Sequence, residues 1–131
     1  MQVSMPIDIE DALRRDLGEL AEFRFFAPPI PPNLGSGDVF IESLGNGQVS
    51  AVSNDYDVTI GCYADDEAEA MENARTVAGL VSSLPLRDTE TQYSNATVTN
   101  GPYLDNDPRA PQLARYSLRA TLICPGERFE F

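Results

Sequence analysis

The chain lacks several residue types on which common catalytic chemistries depend. Among its 131 residues there is no histidine and no tryptophan, all nine basic residues are arginine, and only two cysteines occur. The absence of histidine excludes Ser-His-Asp and Cys-His catalysis, histidine-ligated metal sites and an imidazole pH switch. The absence of lysine excludes a Schiff base and the lysine of a P-loop. We therefore expect a protein that is not an enzyme and holds no cofactor.

The charge is strongly one-sided. Twenty-one acidic residues against nine arginines give a formal charge of −12 and an isoelectric point near 4.1. Such a chain repels nucleic-acid phosphates, so a surface that grips a duplex is not expected. Hydrophobic residues make up 42%, which is enough for a folded core. At this length we predict a single domain over residues 1–131.

The chain carries no sign of export or of a membrane anchor. Its first residues have no basic region followed by an apolar run, and no stretch approaches the ~18 apolar residues of a membrane span. These features predict a cytosolic protein without membrane contact. Cys62 and Cys124 are then expected to be reduced core residues.

Two segments show the hydrophobic spacing of amphipathic helices. The first runs from about Pro6 to Ala21, and the second from Asp65 to Leu84, where Pro85 stops it. Apolar residues recur every three or four positions in both, which places them on one face. They are Ile9, Leu13, Leu17 and Leu20 in the first segment, and Ala70, Ala74, Val77, Val81 and Leu84 in the second.

The rest of the chain alternates between predicted strands and loops. Strands are expected at 22–27, 38–44, 49–52, 56–63, 89–103 and 115–124, with Gly45-Asn46-Gly47 as a tight hairpin turn and a bulge near Ser53-Asn54. Two long Pro/Gly-rich loops are expected at 27–37 and 101–114. Loops of this length tend to be functional, and the prolines make the first stiff enough to serve as a docking arm. The pattern predicts an α+β two-layer sandwich, with two helices on one face of a small, largely antiparallel sheet.

The acidic residues do not assemble into a recognisable site. The acids from Asp65 to Glu72 are those of a solvated helix start, and Asp55 and Asp57 are best explained by surface solvation. Asp105 and Asp107 lie in a loop that lacks the glycine and the distal glutamate of an EF-hand. We therefore predict no catalytic, cofactor or metal site.

The last predicted strand offers a candidate interface. Arg115 and Arg119 alternate with its apolar residues, so they share the outward face, about 13 Å apart at the usual strand rise. They either hold an acidic neighbouring subunit or face water. Together with the two loops they define the predicted subunit or partner interface, which comprises Arg115, Arg119, Pro31, Asn33, Leu34, Tyr103, Asp105 and Arg109.

The order of these segments resembles small tail-terminator, or tail-completion, proteins of long-tailed bacteriophages. The resemblance covers about residues 6–124. It is carried by the first helix, Pro32-Asn33-Leu34-Gly35-Ser36-Gly37, Asp57-Val58-Thr59-Ile60-Gly61-Cys62-Tyr63-Ala64, the alanine-rich helix from Asp65, Gly101-Pro102-Tyr103, and Ala114-Arg115-Tyr116-Ser117-Leu118.

The resemblance implies a hexameric ring in the virion neck, assembled in the cytoplasm of the bacterial host. Such a ring stops polymerisation of the tail tube protein and joins the tube to the head–tail connector protein. DNA then passes through the lumen without specific binding. Six copies at −12 carry a formal charge near −72, so an acidic lumen would repel phosphates. The alternatives are another head–tail connector, a tail tube subunit, or a small ligand-binding domain.

Overall fold

A five-stranded mixed sheet forms the centre of the molecule. The computed structural model describes residues 1–130. Strand bounds are β1 Gln2–Met5, β2 Arg24–Phe26, β3 Asp38–Gln48, β4 Ser53–Ala64, β5 Asn95–Leu104, β6 Ala114–Pro125 and β7 Glu127–Glu130. The sheet has the order β2-β3-β4-β6-β5, in which only β2 and β3 are parallel. Strands β1 and β7 form a separate antiparallel ribbon.

Both helices pack on the same face of this sheet. Helix α1 spans Ile9–Gly18 and helix α2 spans Glu67–Ser83, followed by a 3-10 turn at Leu84–Leu86. The side chains of Asp8 and Asp66 cap their N-termini by accepting hydrogen bonds from backbone N–H groups. The α+β class and the layer arrangement are thus confirmed.

The core lies between the sheet and the helices. Strands β4 and β6 turn alternate residues towards α1 and α2, which is the alternation predicted from the sequence. These residues are Tyr56, Val58, Ile60 and Cys62 on β4, and Leu118, Ala120, Leu122 and Cys124 on β6. Both cysteines are buried as predicted, and burial raises the pKa of the Cys62 thiol to about 12.

The first hairpin differs from the prediction. Gly45-Asn46-Gly47 lies inside β3, and the strand accommodates it with a bulge at Ser43/Gly45. The turn falls instead at 49–52, where the N–H groups of Val49 and Ser50 both donate to the carbonyl of Ser53. The predicted strand at 49–52 and the predicted bulge at Ser53-Asn54 were therefore wrong.

In the second half of the chain, the limits of a strand and of the second loop differ from those predicted. Strand β5 begins at Asn95 and continues through residues 101–104, so the second loop spans 105–113. Gly101 enables this because its φ is +95° and a Cβ there would lie 2.6 Å from the carbonyl oxygen of Ser117. The ribbon of β1 and β7 was not predicted. No helix within residues 1–130 is long and apolar enough to cross a membrane.

Candidate functional site

The face of the sheet that carries no helix is partly covered by the two Pro-rich loops. They converge over one end of β3 and β4, where a small apolar cluster forms. Its buried members are Phe40, Tyr63, Ala110 and Leu113, and Phe26, Ile30 and Leu34 pack against them. The first loop therefore lies against the domain through Ile30 and Leu34 rather than extending as a free arm.

A polar network fastens the second loop to the same face. Arg115 donates from Nε to the carbonyl of Asp105 at 2.6 Å and from Nη2 to Asp105 Oδ2 at 3.1 Å. Its Nη1 donates to Tyr63 Oη at 3.2 Å and lies 3.5 Å from Asp107 Oδ2. The guanidinium also stacks over the Tyr63 ring, 5.6 Å from its centroid. Only 15% of the Arg115 side chain is exposed.

Asp107 lies at the buried centre of this network. Tyr63 Oη donates to Asp107 Oδ2 at 2.7 Å, and Arg109 donates to the carboxylate from its backbone N–H and its guanidinium. Burial opposes ionisation of Asp107, but the hydrogen bonds from Arg109 and Tyr63 outweigh it and hold its pKa well below the ordinary range. Burial, reinforced by the hydrogen bond to Asp107, raises the pKa of Tyr63.

Gly61 makes room for Arg115 on the sheet. A Cβ at Gly61 would lie 2.9 Å from Arg115 Cδ and 3.4 Å from Ser117 Oγ. The side chain of Arg115 therefore occupies the space above this glycine. Ser117 Oγ completes the arrangement by donating to Asp105 Oδ2 at 3.0 Å.

The first loop is fixed by a second ion pair. Arg24 donates to both carboxylate oxygens of Asp38, and to the carbonyl of Asn33 at 3.1 Å. Asp38 Oδ2 also accepts from the N–H of Gly35 at 2.8 Å. Among the predicted interface residues, Pro31 is half-buried and Asn33 is exposed.

Arg119 is placed differently from Arg115, although both lie on the predicted face. It is exposed, and its guanidinium makes no ion pair with any residue in the described part of the chain. It lines a shallow polar depression with Asp57, Thr99 and Asn100. Tyr103, another predicted interface residue, is half-buried on β5 opposite Ser117.

The start of α2 presents the opposite charge. Its acidic residues are exposed, namely Asp65, Asp66, Glu67, Glu69 and Glu72. Two of them have local roles, since Asp66 caps the helix and Glu69 Oε1 accepts from Ser36 Oγ at 2.7 Å. This acidic surface belongs to the helical layer, whereas Arg119 belongs to the uncovered sheet face.

A further buried carboxylate ties α1 to the segment before β5. Asp16 is fully buried and accepts hydrogen bonds from Tyr93 Oη at 2.6 Å and Arg15 Nε at 3.2 Å. Within residues 1–130, no group of three or more metal-binding side chains is placed to hold a metal ion. The hydrogen bond from Tyr93 means that Asp16 joins α1 to the segment before β5.

The sequence pattern led us to weigh Asp107 only as a calcium ligand, and it gave no structural role to Tyr63, Gly61 or the Arg24–Asp38 pair. A signal existed for Asp107, since Arg109 follows it by two positions in a short loop. Comparison with known proteins adds no further candidate: no family model matches the chain, and no curated protein does.

Proposed function

We propose that this chain is a structural virion assembly protein whose ring terminates a bacteriophage tail tube and joins it to the head connector. The ring would contain six copies, lie in the virion neck and be assembled in the host cytoplasm. Its partners would be the tail tube protein and the head–tail connector protein. One observation carries this function: an exposed, unpaired arginine and an acidic surface lie on opposite layers of the same small domain.

Closed rings require contacts between two different surfaces of the subunit, repeated head to tail. Arg119 on the sheet face and the acidic start of α2 on the helical layer are two such surfaces with opposite charge. Contact between Arg119 of one subunit and the acids of the next would repeat around a ring. Arg115 has no such freedom, because Asp105, Asp107 and Tyr63 already bind it.

The net charge suits a passage for DNA. A ring of six copies carries a formal charge near −72, six times that of one chain. Phosphates that pass an acidic lumen are repelled rather than held. The proposed role includes no catalysis, which accords with the structural use of Asp107, Asp38 and Asp16 in joining loops and helices to the sheet.

Light scattering coupled to gel filtration tests the ring. The chain has a mass of 14.3 kDa, so a hexamer would elute as a discrete species of about six times that mass. Arg119→Ser should reduce this species to smaller ones at low salt, with an unchanged circular dichroism spectrum. Raising the salt to about 1 M should dissociate the wild-type ring in the same way.

Arg128→Ser provides the matched control. Arg128 is also exposed and makes no ion pair within residues 1–130, but it lies on the ribbon. This variant changes the charge equally and should leave the ring intact. Long tubes from the wild type would instead indicate a tail tube subunit, and a monomer at every concentration would overturn the ring.

A further inference from the structure

Strand β5 is an outer edge of the sheet, and its sequence carries no charge. Residues 91–104 contain no acidic or basic side chain, in a chain with a formal charge of −12. The exposed residues of its first half are Asn95, Thr97 and Thr99. A neutral edge with β-branched residues is the kind of strand that adds another strand readily.

The outer side of β5 is open to such a partner. Strand β6 pairs with β5 along one side, and the sheet order places no strand on the other. Within residues 1–130, the backbone hydrogen bonds of residues 95–100 are made with β6 alone. The N–H and C=O groups of residues 95–100 that point away from β6 are therefore not paired with any described strand.

The opposite edge of the sheet is strand β2, which is three residues long and begins with Arg24, and two features block strand addition along β3 beyond it. The N–H of Arg24 donates to the carbonyl of Gly37, which sets the ladder between β2 and β3. In this register the carbonyl of Ile41 would next accept from residue 28, which is Pro28 and has no N–H. Beyond it, Glu10 Oε2 accepts the N–H of Ser43 at 2.7 Å. These two features block strand addition along residues 41–43 of β3.

The ribbon is less suited to strand addition than β5. Strands β1 and β7 are four residues each, and β7 carries Glu127, Arg128 and Glu130. Short and charged edges are both recognised protections against pairing. Residues 95–98 of β5 therefore form an uncharged and regularly paired edge, whereas beyond Val98 the pairing with β6 shifts register and the strand contains Pro102.

We propose that β5 pairs antiparallel with β5 of a second copy across a twofold axis, which joins the two five-stranded sheets into one. The charge pattern selects this occupant. A basic partner would bind best to an edge that carries carboxylates, and β5 carries none. Two copies at −12, in contrast, can approach closely only where charge is absent. The exposed neutral stretch from Asn95 to Thr99 is centred on Thr97, which places the axis near that residue.

This contact is distinct from the ring contact. A twofold contact uses the same surface of both copies, whereas the ring requires Arg119 of one subunit against α2 of the next. The β5 contact gives a dimer of the free protein, and in an assembled ring it would join two rings. Either contact can exist without the other, so each can be tested alone.

The dimer is tested in the Arg119→Ser background at about 0.5 M salt, where the charged ring contact is removed and screened. Sedimentation velocity over about 1–100 µM should show a monomer–dimer equilibrium. Adding Thr97→Lys should raise the dissociation constant at least about tenfold, since two lysines then meet near the axis. Thr76→Lys, an exposed position on α2, is the matched control and should leave the equilibrium unchanged.

A charge-reversal pair shows whether Thr97→Lys loses the dimer because of its charge or because it does not fold. Thr97→Glu should also be monomeric alone, and an equimolar mixture with Thr97→Lys should restore the dimer. Hydrogen exchange at residues 95–99 should slow as the concentration of the parent protein rises. A parent protein that stays monomeric throughout, or a Thr97→Lys variant that dimerises as the parent does, would overturn the inference.

Discussion

Asp107 is the carboxylate that Tyr63, Arg109 and Arg115 all contact on the sheet face without helices. It is 3% exposed and receives hydrogen bonds from Tyr63 and Arg109. A buried carboxylate is tolerated only when such donors compensate for its lost hydration. Because the donors belong to β4 and to the loop itself, Asp107 fastens the loop to the sheet.

Asp107→Asn should lower the free energy of unfolding at pH 7 by about 1–3 kcal/mol. The folded-state pKa of Asp107 is depressed, so the stabilisation that this carboxylate provides is complete above the unfolded pKa of about 4. That effect is lost as the pH falls through the folded value. The difference between wild type and variant should therefore shrink below about pH 4, as measured by urea unfolding at several pH values.

Asp65→Asn is the control for this effect. It makes the same charge change at an exposed helix start, where a surface substitution costs less than about 0.5 kcal/mol. A difference between wild type and Asp107→Asn that stayed constant down to pH 2 would contradict the role given to the charged form.

The positions of Arg115 and Arg119 were predictable, but their separate environments were not. Period-two alternation places both on the face opposite Leu118, and the structure agrees. Whether each is exposed depends on Asp105 and Asp107, which reach Arg115 only after the second loop has folded back. No local pattern in the strand carries that information.

At the scale of the elements, two glycines illustrate opposite demands. Gly61 on β4 has Arg115 Cδ 2.9 Å from the place of a Cβ, whereas Gly79 on α2 has no atom within 4 Å. Strand β4 thus needs the small residue to seat Arg115. Helix α2 gains nothing from glycine and loses backbone entropy to it.

Gly61→Ala should lower the free energy of unfolding by about 1–3 kcal/mol, because the new methyl displaces Arg115 from its hydrogen bonds. Gly79→Ala, the same chemical change, should raise it by about 0.5–1 kcal/mol. Urea denaturation of both variants measures the two signs. Equal stability of Gly61→Ala and wild type would mean that Arg115 has an alternative path over the sheet.

The elements whose sequence pattern lies within one segment were predicted correctly, and those that depend on pairing with distant residues were not. Both helices and the alternation of β4 and β6 follow from periodicity within one segment, and they were confirmed. Gly45-Asn46-Gly47 has the chemistry of a turn, but pairing with β4 continues through it. The ribbon escaped prediction because β1 and β7 are short and pair across nearly the whole chain.

At the scale of the molecule, self-repulsion from a charge of −12 opposes compactness. Salt screens this repulsion. Raising the salt concentration from about 0.05 to about 0.5 M should therefore increase the melting temperature of the subunit. The same change should weaken the proposed ring contact through Arg119. A thermal scan of the Arg119→Ser variant, which lacks the proposed ring contact, measures the screening of self-repulsion alone. A melting temperature that falls as salt is added would refute this screening effect.

The ribbon of β1 and β7 sets an order of events during synthesis. Gln2 pairs with Glu130 and Met5 with Glu127, so β1 leaves the ribosome well before its partner β7 and must wait for it. The backbone hydrogen bonds of the helices and of the hairpin of β3 and β4 need no such delay, because they join residues that are close in sequence. Until residue 127 emerges, β1 remains a single neutral strand without a partner. A nascent chain stalled before that point would therefore display β1 to proteases and chaperones after the helices and the hairpin of β3 and β4 have formed.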